Sequence, residues 1–176
     1  LDDGSCTFPD NGDFSLRFDG DDFIDNFIYE EQLKISQEFT LQFDIKIESL
    51  SQSWQGIFSV FTPGESNANN ALINIEITTE GYLYYSHEYG DGINEEYQTN
   101  IFLDDDRWHN IIISRNPQDK VVEFYHDNIN EPGEIFNYTY NPTGGGSSDV
   151  IIGTTNINSD YFNLLGFLDN FYLYNS

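Results

Sequence analysis

The sequence predicts an all-β chain folded as an antiparallel β-sandwich. Three observations carry that expectation. Phe39, Leu41, Phe43, Ile45 and Ile47 alternate strictly with Thr40, Gln42, Asp44 and Lys46, the period of two that gives a strand one buried face. The rest of the chain is a series of short β-branched and aromatic runs separated by turn residues. No segment has the 3.6-residue period of an amphipathic helix, which leaves no crossovers for a parallel sheet.

Taken in order, residues 1–13 carry Gly, Pro and acidic residues with no apolar period and read as a linker. Strands are expected at Ser15–Phe18, Phe23–Ile28, Phe39–Ile47, Gly56–Phe61 and Ala71–Ile77, the last alternating as cleanly as the third. Further strands are expected at Tyr82–Ser86, Trp108–Ser114, Val121–Tyr125, Ile135–Tyr140, Asp149–Gly153 and Phe167–Tyr174. The separators are Asp19-Gly20, Pro63-Gly64, Glu80-Gly81, Gly90-Asp91-Gly92, Asn116-Pro117, Pro132-Gly133 and Gly144-Gly145-Gly146, which supply the dihedral angles of tight turns. Residues 30–36 have room for one irregular helical turn, and residues 62–70 and 141–148 read as polar loops at the sandwich ends.

Composition bounds the function. The chain has 176 residues, with 31 Asp and Glu against 6 Lys and Arg, a formal charge of −25. With 15 Phe and 12 Tyr it has the aromatic content of a folded domain rather than of an acidic tail. Nucleic acid and anionic membrane surfaces are poor partners for such a charge, and cations are good ones. No apolar run is long enough for membrane insertion as a helix. The single cysteine, Cys6, is a free thiol or half of a bridge to sequence outside this piece. A start at Leu1 without Met reads as a cut from a larger protein, and Asn137-Tyr138-Thr139 is formally a glycosylation sequon.

Four segments together resemble the laminin-G-like branch of the concanavalin A-like lectin/glucanase superfamily. They are Ser15 to Gly20 followed by Asp22-Phe23-Ile24, Glu38 to Ile45, Leu103 to Ile111, and Gly166 to Asn175, in that order over residues 14–176. The resemblance implies a jelly roll and a module that binds sugars, proteins or lipids, with calcium in many members and catalysis in a minority. Asp2-Asp3-Gly4-Ser5-Cys6 resembles the end of an Asn/Asp-rich repeat of large secreted proteins of marine bacteria. That implies residues 1–13 are the tail of a preceding repeat and that the parent is extracellular or at the cell surface.

Candidate chemistry starts with calcium, which takes six to eight oxygen ligands. Asp19, Gly20, Asp21, Asp22 and Asp25 crowd one turn, and Asp169 lies in an otherwise apolar strand, expected on one face with Phe167, Phe171 and Leu173. A carboxylate in apolar surroundings needs a partner. The resemblance implies that Asp169 is a side-chain ligand and that the Asp19–Asp22 turn (Asp19, Gly20, Asp22) supplies the rest. The competing reading has Asp169 capping amides or paired with Arg17. Asp104-Asp105-Asp106 reads as a solvated turn, and Glu95-Glu96 as a turn or a rim calcium site.

No catalytic residues are expected. Glucanases of the superfamily place their acids on one strand as Glu-x-Asp-x-x-Glu or Glu-x-Asp-x-Glu. The nearest approach here has Gln42 in place of the first acid, Asp44 in the middle, and Lys46 or Ile47 in place of the last. The Tyr-x-Lys strand motif of the lyase relatives is absent as well. His87, His109 and His126 form no metal-binding spacing, so no zinc site is expected. Sugar binding calls for flat aromatic faces beside polar groups. Trp54, in a polar loop and expected to be more exposed than Trp108, joins Tyr84 and Tyr89 as the expected ligand-binding residues. The expected function is a non-catalytic, calcium-stabilised binding module for a glycan or a cell-surface protein. The alternatives are a protein-binding or spacer domain of a large adhesin, and a diverged glycosidase or polysaccharide lyase.

Overall fold

The computed structural model describes residues 15–25, 38–50, 54–61, 71–90, 93–127, 130–142, 149–155 and 163–175. Cys6, residues 26–37, and most of the loops at 62–70 and 141–148 lie outside them. The strands are β1 (Leu16–Asp19), β2 (Phe39–Ile47), β3 (Gln55–Phe61), β4 (Ala71–Ile77), β5 (Tyr82–Gly90) and β6 (Ile93–Phe102). They continue with β7 (His109–Asn116), β8 (Val121–His126), β9 (Glu134–Asn137), β10 (Asp149–Ile152) and β11 (Leu165–Asn175). Among the described residues there is no helix.

Two antiparallel sheets make the expected sandwich, ordered β1-β11-β2-β7-β8-β9 and β10-β3-β4-β5-β6. The core lies between them because each central strand turns its apolar positions inward. Phe39, Leu41, Phe43, Ile45 and Ile47 are at most 2% exposed, and Thr40, Gln42, Asp44 and Lys46 between them face out half-buried. β7 and β8 repeat the pattern with Ile111, Ile113, Val122 and Phe124. Each such side chain contributes about 1.5–3 kcal/mol by leaving water.

Two expectations change. No strand is expected at β6; its Ile-Asn-Glu-Glu-Tyr-Gln-Thr-Asn start is mostly polar and exposed over most of its length at the edge of its sheet, with Tyr97 turned to the core. The strand expected from Phe23 is reduced, within the described residues, to one bridge between Ile24 and Ile152.

The last strand also departs from simple alternation. Its pairing with β2 shifts between Asp169 and Tyr172, and Asn170 takes a left-handed φ of 47°. A bulge inserts an extra residue and reverses which side chains face inward. Leu168 is therefore buried before the bulge, and Phe171 and Leu173 pack on the core after it. Phe167 and Asp169 face outward, so Asp169 does not share a face with Phe171 and Leu173. At Gly166 the strands approach so closely that a Cβ would collide with the Lys46 carbonyl oxygen of β2.

Candidate functional site

The acid-rich turn follows β1. Asp19, Asp21 and Asp22 are exposed, and each offers a carboxylate oxygen within 4.8 Å of the others. A hydrogen bond from Asp21 holds the Asp19 carboxyl below its ordinary range, with weak burial opposing. The Gly20 carbonyl, between them, accepts a bond from Asn163 Nδ2 at 3.0 Å. Asn163 is 5% exposed, and its Oδ1 is buried without a hydrogen-bond partner. Three convergent carboxylates are hard oxygen donors of the kind calcium takes, with the Gly20 carbonyl in the same turn.

Asp169 does not join that set. Asp19 pairs with Leu165, four residues from Asp169 along β11, or about 13 Å at the rise of a strand. The bulge explains where Asp169 goes instead. Its Oδ1 accepts the Asn170 amide at 2.7 Å, beside a cavity of about 240 Å³ lined by Leu16, Ile24, Ile152, Leu168 and Phe171 as well as by the 169–170 segment. The amide-capping alternative describes it better than ligation shared with the turn. Arg17, its other expected partner, binds Glu48 through Nε at 3.2 Å and through a second nitrogen at 3.0 Å.

The remaining acidic runs are also committed. Asp105 is half-buried and paired: it accepts from Arg107 Nε at 2.8 Å and lies 2.8 Å from His109 Nε2. The Arg107 guanidinium, followed by His109, holds its carboxyl down at about 2 against a small opposing burial. Asp106 pairs with Lys46 at 2.8 Å. Glu95 accepts the backbone amides of Thr139 at 2.8 Å and Tyr140 at 2.7 Å, and Glu96 takes the Tyr84 hydroxyl, which leaves neither arranged as a rim calcium ligand.

The expected aromatic site is split. Trp54 meets the edge of Tyr84 with ring centroids 4.5 Å apart, on the outer face of the second sheet. Glu76, Asn74 and Ser86 share that face and are 4–7% exposed, and Tyr84 is 9% exposed. Burial pushes the Glu76 carboxyl up to about 7, a contact with Thr155 pulling weakly the other way. Tyr89 is elsewhere: β5 alternation carries it to the opposite face, where it stacks on Tyr140 at 4.6 Å.

Tyr140, Phe102 and Phe23 are exposed singly or elsewhere, and a group of three open aromatics lies on the outer face of the first sheet. Trp108 is 46% exposed, Tyr172 47% and Tyr174 53%, whereas Trp54 is half-buried, which reverses the expected ranking of the two tryptophans. Trp108 packs on Phe167 at 6.2 Å, Arg17 lies over the other side of that neighbourhood at 6.0 Å from the Phe167 ring, and Tyr172 stacks on Tyr174 at 6.1 Å. Between the two groups lies Asp44, which accepts Asn110 Nδ2 at 2.6 Å and Asn170 Nδ2 at 2.7 Å. Sequence reasoning missed Tyr172 and Tyr174, because the bulge decides which positions of the last strand are outward.

Gln42, Asp44 and Lys46 face outward on β2, and Asp44 is spent on two amides.

A family model described as the concanavalin A-like lectin/glucanases superfamily matches residues 10–176, most of the chain. No curated protein matches the sequence. Among solved structures, the CBM40 module of the Ruminococcus gnavus IT-sialidase, solved with α2,3-sialyllactose, superposes with a TM-score of 0.66 at 12% identity, covering 91% of this chain and 88% of that one. Mouse laminin alpha1 domains LG4-5 give 0.67 at 12% identity, covering 96% of this chain and 44% of theirs. A mutant NanB sialidase from Streptococcus pneumoniae gives 0.71 at 15% identity, covering 91% of this chain and 25% of its own. At such identities the likeness is one of fold.

Proposed function

Because the chain belongs to the concanavalin A-like lectin/glucanase superfamily, we propose that it is a non-catalytic, calcium-stabilised module of a secreted or cell-surface protein that binds a glycan. The observation that carries this reading is the exposed aromatic face of the first sheet. Trp108 stands in the row of Lys46, and Tyr172 and Tyr174 in the rows of Gln42 and Thr40. Lys46 to Gln42 spans about 13 Å, room for two or three pyranose rings along the strand. The flat side chains offer surfaces for apolar sugar faces. Asp44, Asn110 and Asn170 offer acceptors and donors for hydroxyls in the gap. A CBM40 module of the same fold is known bound to sialyllactose, which supports a sugar as the ligand class.

The calcium of this reading is held by Asp19, Asp21, Asp22 and the Gly20 carbonyl. It neutralises carboxylates that otherwise repel one another and fixes the turn that follows the first strand. Gln42 and Ile47 in the places of glucanase acids support a binding role over a catalytic one. A second reading, a protein-binding or spacer domain of a large adhesin, is favoured by the burial of Asn74, Glu76 and Ser86, which leaves the outer face of the second sheet little to offer a sugar.

The test is a set of single substitutions read by glycan binding. Trp108→Ala and Tyr174→Ala abolish it, and Trp54→Ala, on the other sheet, leaves it intact. Loss at Trp54 with retention at Trp108 and Tyr174 moves the site to the second sheet and refutes this placement.

A further inference from the structure

We propose that His109, His126 and Asp127 form a binding site for a divalent first-row transition ion, zinc in the first instance, at one end of the sandwich. β7 begins at His109 and β8 ends at His126; the strands are antiparallel neighbours with Ile111 opposite His126. The hairpin therefore brings together two histidines that are 17 residues apart in sequence. His109 is 1% exposed, so its ring is fixed by its surroundings.

The three ligand atoms converge. His109 Nδ1 is 2.8 Å from His126 Nε2. Asp127 Oδ2 is 3.3 Å from His126 Nε2 and 3.8 Å from His109 Nδ1. Tetrahedral zinc with bonds of ~2.0–2.2 Å holds its ligand atoms about 3.4 Å apart. The three separations straddle that edge length, so an ion fits with movements of a few tenths of an ångström.

Two of the three ligands are oriented from behind. Asp105 Oδ1 lies 2.8 Å from His109 Nε2. A carboxylate can only accept, so Nε2 carries the proton and Nδ1 presents its lone pair to the site. Arg107 anchors Asp105 at 2.8 and 2.6 Å. A carboxylate behind a ligating imidazole is the arrangement that fixes the tautomer and strengthens the ligand. Asp127 has a left-handed φ of 56°. Its amide donates to the Asn110 carbonyl at 2.8 Å, and its Oδ1 accepts the Asn110 amide at 3.2 Å. The other oxygen, Oδ2, is thereby turned to the histidines.

Two imidazole nitrogens and one carboxylate select a borderline-soft ion over calcium, which prefers oxygen throughout. Without metal, His126 Nε2–H donates to His109 Nδ1. Binding moves that proton to His126 Nδ1, so the ion takes the place of a hydrogen bond. Three protein ligands leave a fourth position. The Asp127 side chain is 48% exposed and that of His126 26%, so this position opens to water or to a ligand from outside.

The test uses untagged, metal-free protein in excess calcium, which fills the oxygen sites. Cobalt is added first, followed by zinc. The expected result is an intense tetrahedral d–d spectrum that saturates at one equivalent and is abolished by one equivalent of zinc. Zinc also shifts the His109 Nδ1 and His126 Nε2 nitrogen resonances. His126→Ala, at a half-buried position that keeps the fold by circular dichroism, loses the spectrum. Asp105→Asn keeps it but weakens the affinity about 10–100-fold. The proposal is overturned if wild type gives no saturable tetrahedral spectrum. It is equally overturned if the ion binds with the histidine nitrogens unmoved, or binds alike in His126→Ala and Asp127→Asn, since the ion then lies on the acidic surface.

Discussion

Glu76→Gln isolates the most perturbed carboxyl on the outer face of the second sheet. Glu76 lies between Gly56 of β3 and Tyr84 of β5 and is 6% exposed. Burial raises its pKa from 4.5 to about 7. A carboxyl with a raised folded-state value binds a proton that the unfolded chain has already released. Stability is therefore full at acid pH, falls as pH rises between about 4.5 and 7, and is flat above that window. The difference of some 2.5 pH units corresponds to about 3 kcal/mol of penalty on the ionised form. Gln keeps the length and one oxygen of Glu but never ionises. At pH 8 the variant is expected to exceed wild type by up to about 3 kcal/mol, roughly 6–12 °C in Tm for a chain of this size. At pH 5 the two converge. The assay is a pair of urea or thermal unfolding series from pH 5 to 8, in which all other titrations, His87 included, cancel in the difference. Parallel curves across the whole range would refute the reasoning.

Glu95→Gln weakens the charge-assisted bonds to the Thr139 and Tyr140 amides. Burial raises the Glu95 carboxyl, but these amides outweigh it and hold the net value low, so the advantage of wild type is present at neutral pH and lost as pH falls through that lowered value. A cost of about 1 kcal/mol at pH 7 that vanishes in acid melts is expected. Gly166→Ala drives a methyl into the Lys46 carbonyl and should cost about 1–3 kcal/mol in urea unfolding, with no loss measured if the strands part freely. Chelation should lower Tm by several degrees, consistent with about 2.7 kcal/mol at a hundredfold calcium excess over Kd. Asp21→Asn or Asp22→Asn should remove most of that sensitivity and Asp169→Asn should retain it; the reverse pattern would return the ion to Asp169.

The fold was legible where burial imposes a period. β2 reads directly because every second residue must face the core, and the jelly-roll resemblance rests on segments that form β1, β2, β7 and β11. β6 was not legible, because its inward positions carry Glu95 and Thr99 beside Tyr97 and Ile101, too few apolar residues to mark a period of two. The bulge at Asn170 was not legible either: one left-handed Asn reverses which residues face outward in the rest of β11, and with it the surroundings of Asp169. Both errors about the site follow from this kind of non-local information. Trp108 is open because the outer face it stands on is open, not because of its neighbours in sequence. The histidine cluster exists because a hairpin register aligns the start of β7 with the end of β8, and residue spacing alone carries no trace of that.

Glycan binding is tested most directly by presenting the wild-type chain, with calcium and again with a chelator, to an array of defined glycans. The account predicts saturable binding to a restricted set of sugars in calcium, weakened on chelation and lost in Trp108→Ala. Folded, calcium-loaded protein that binds no glycan on the array would contradict it.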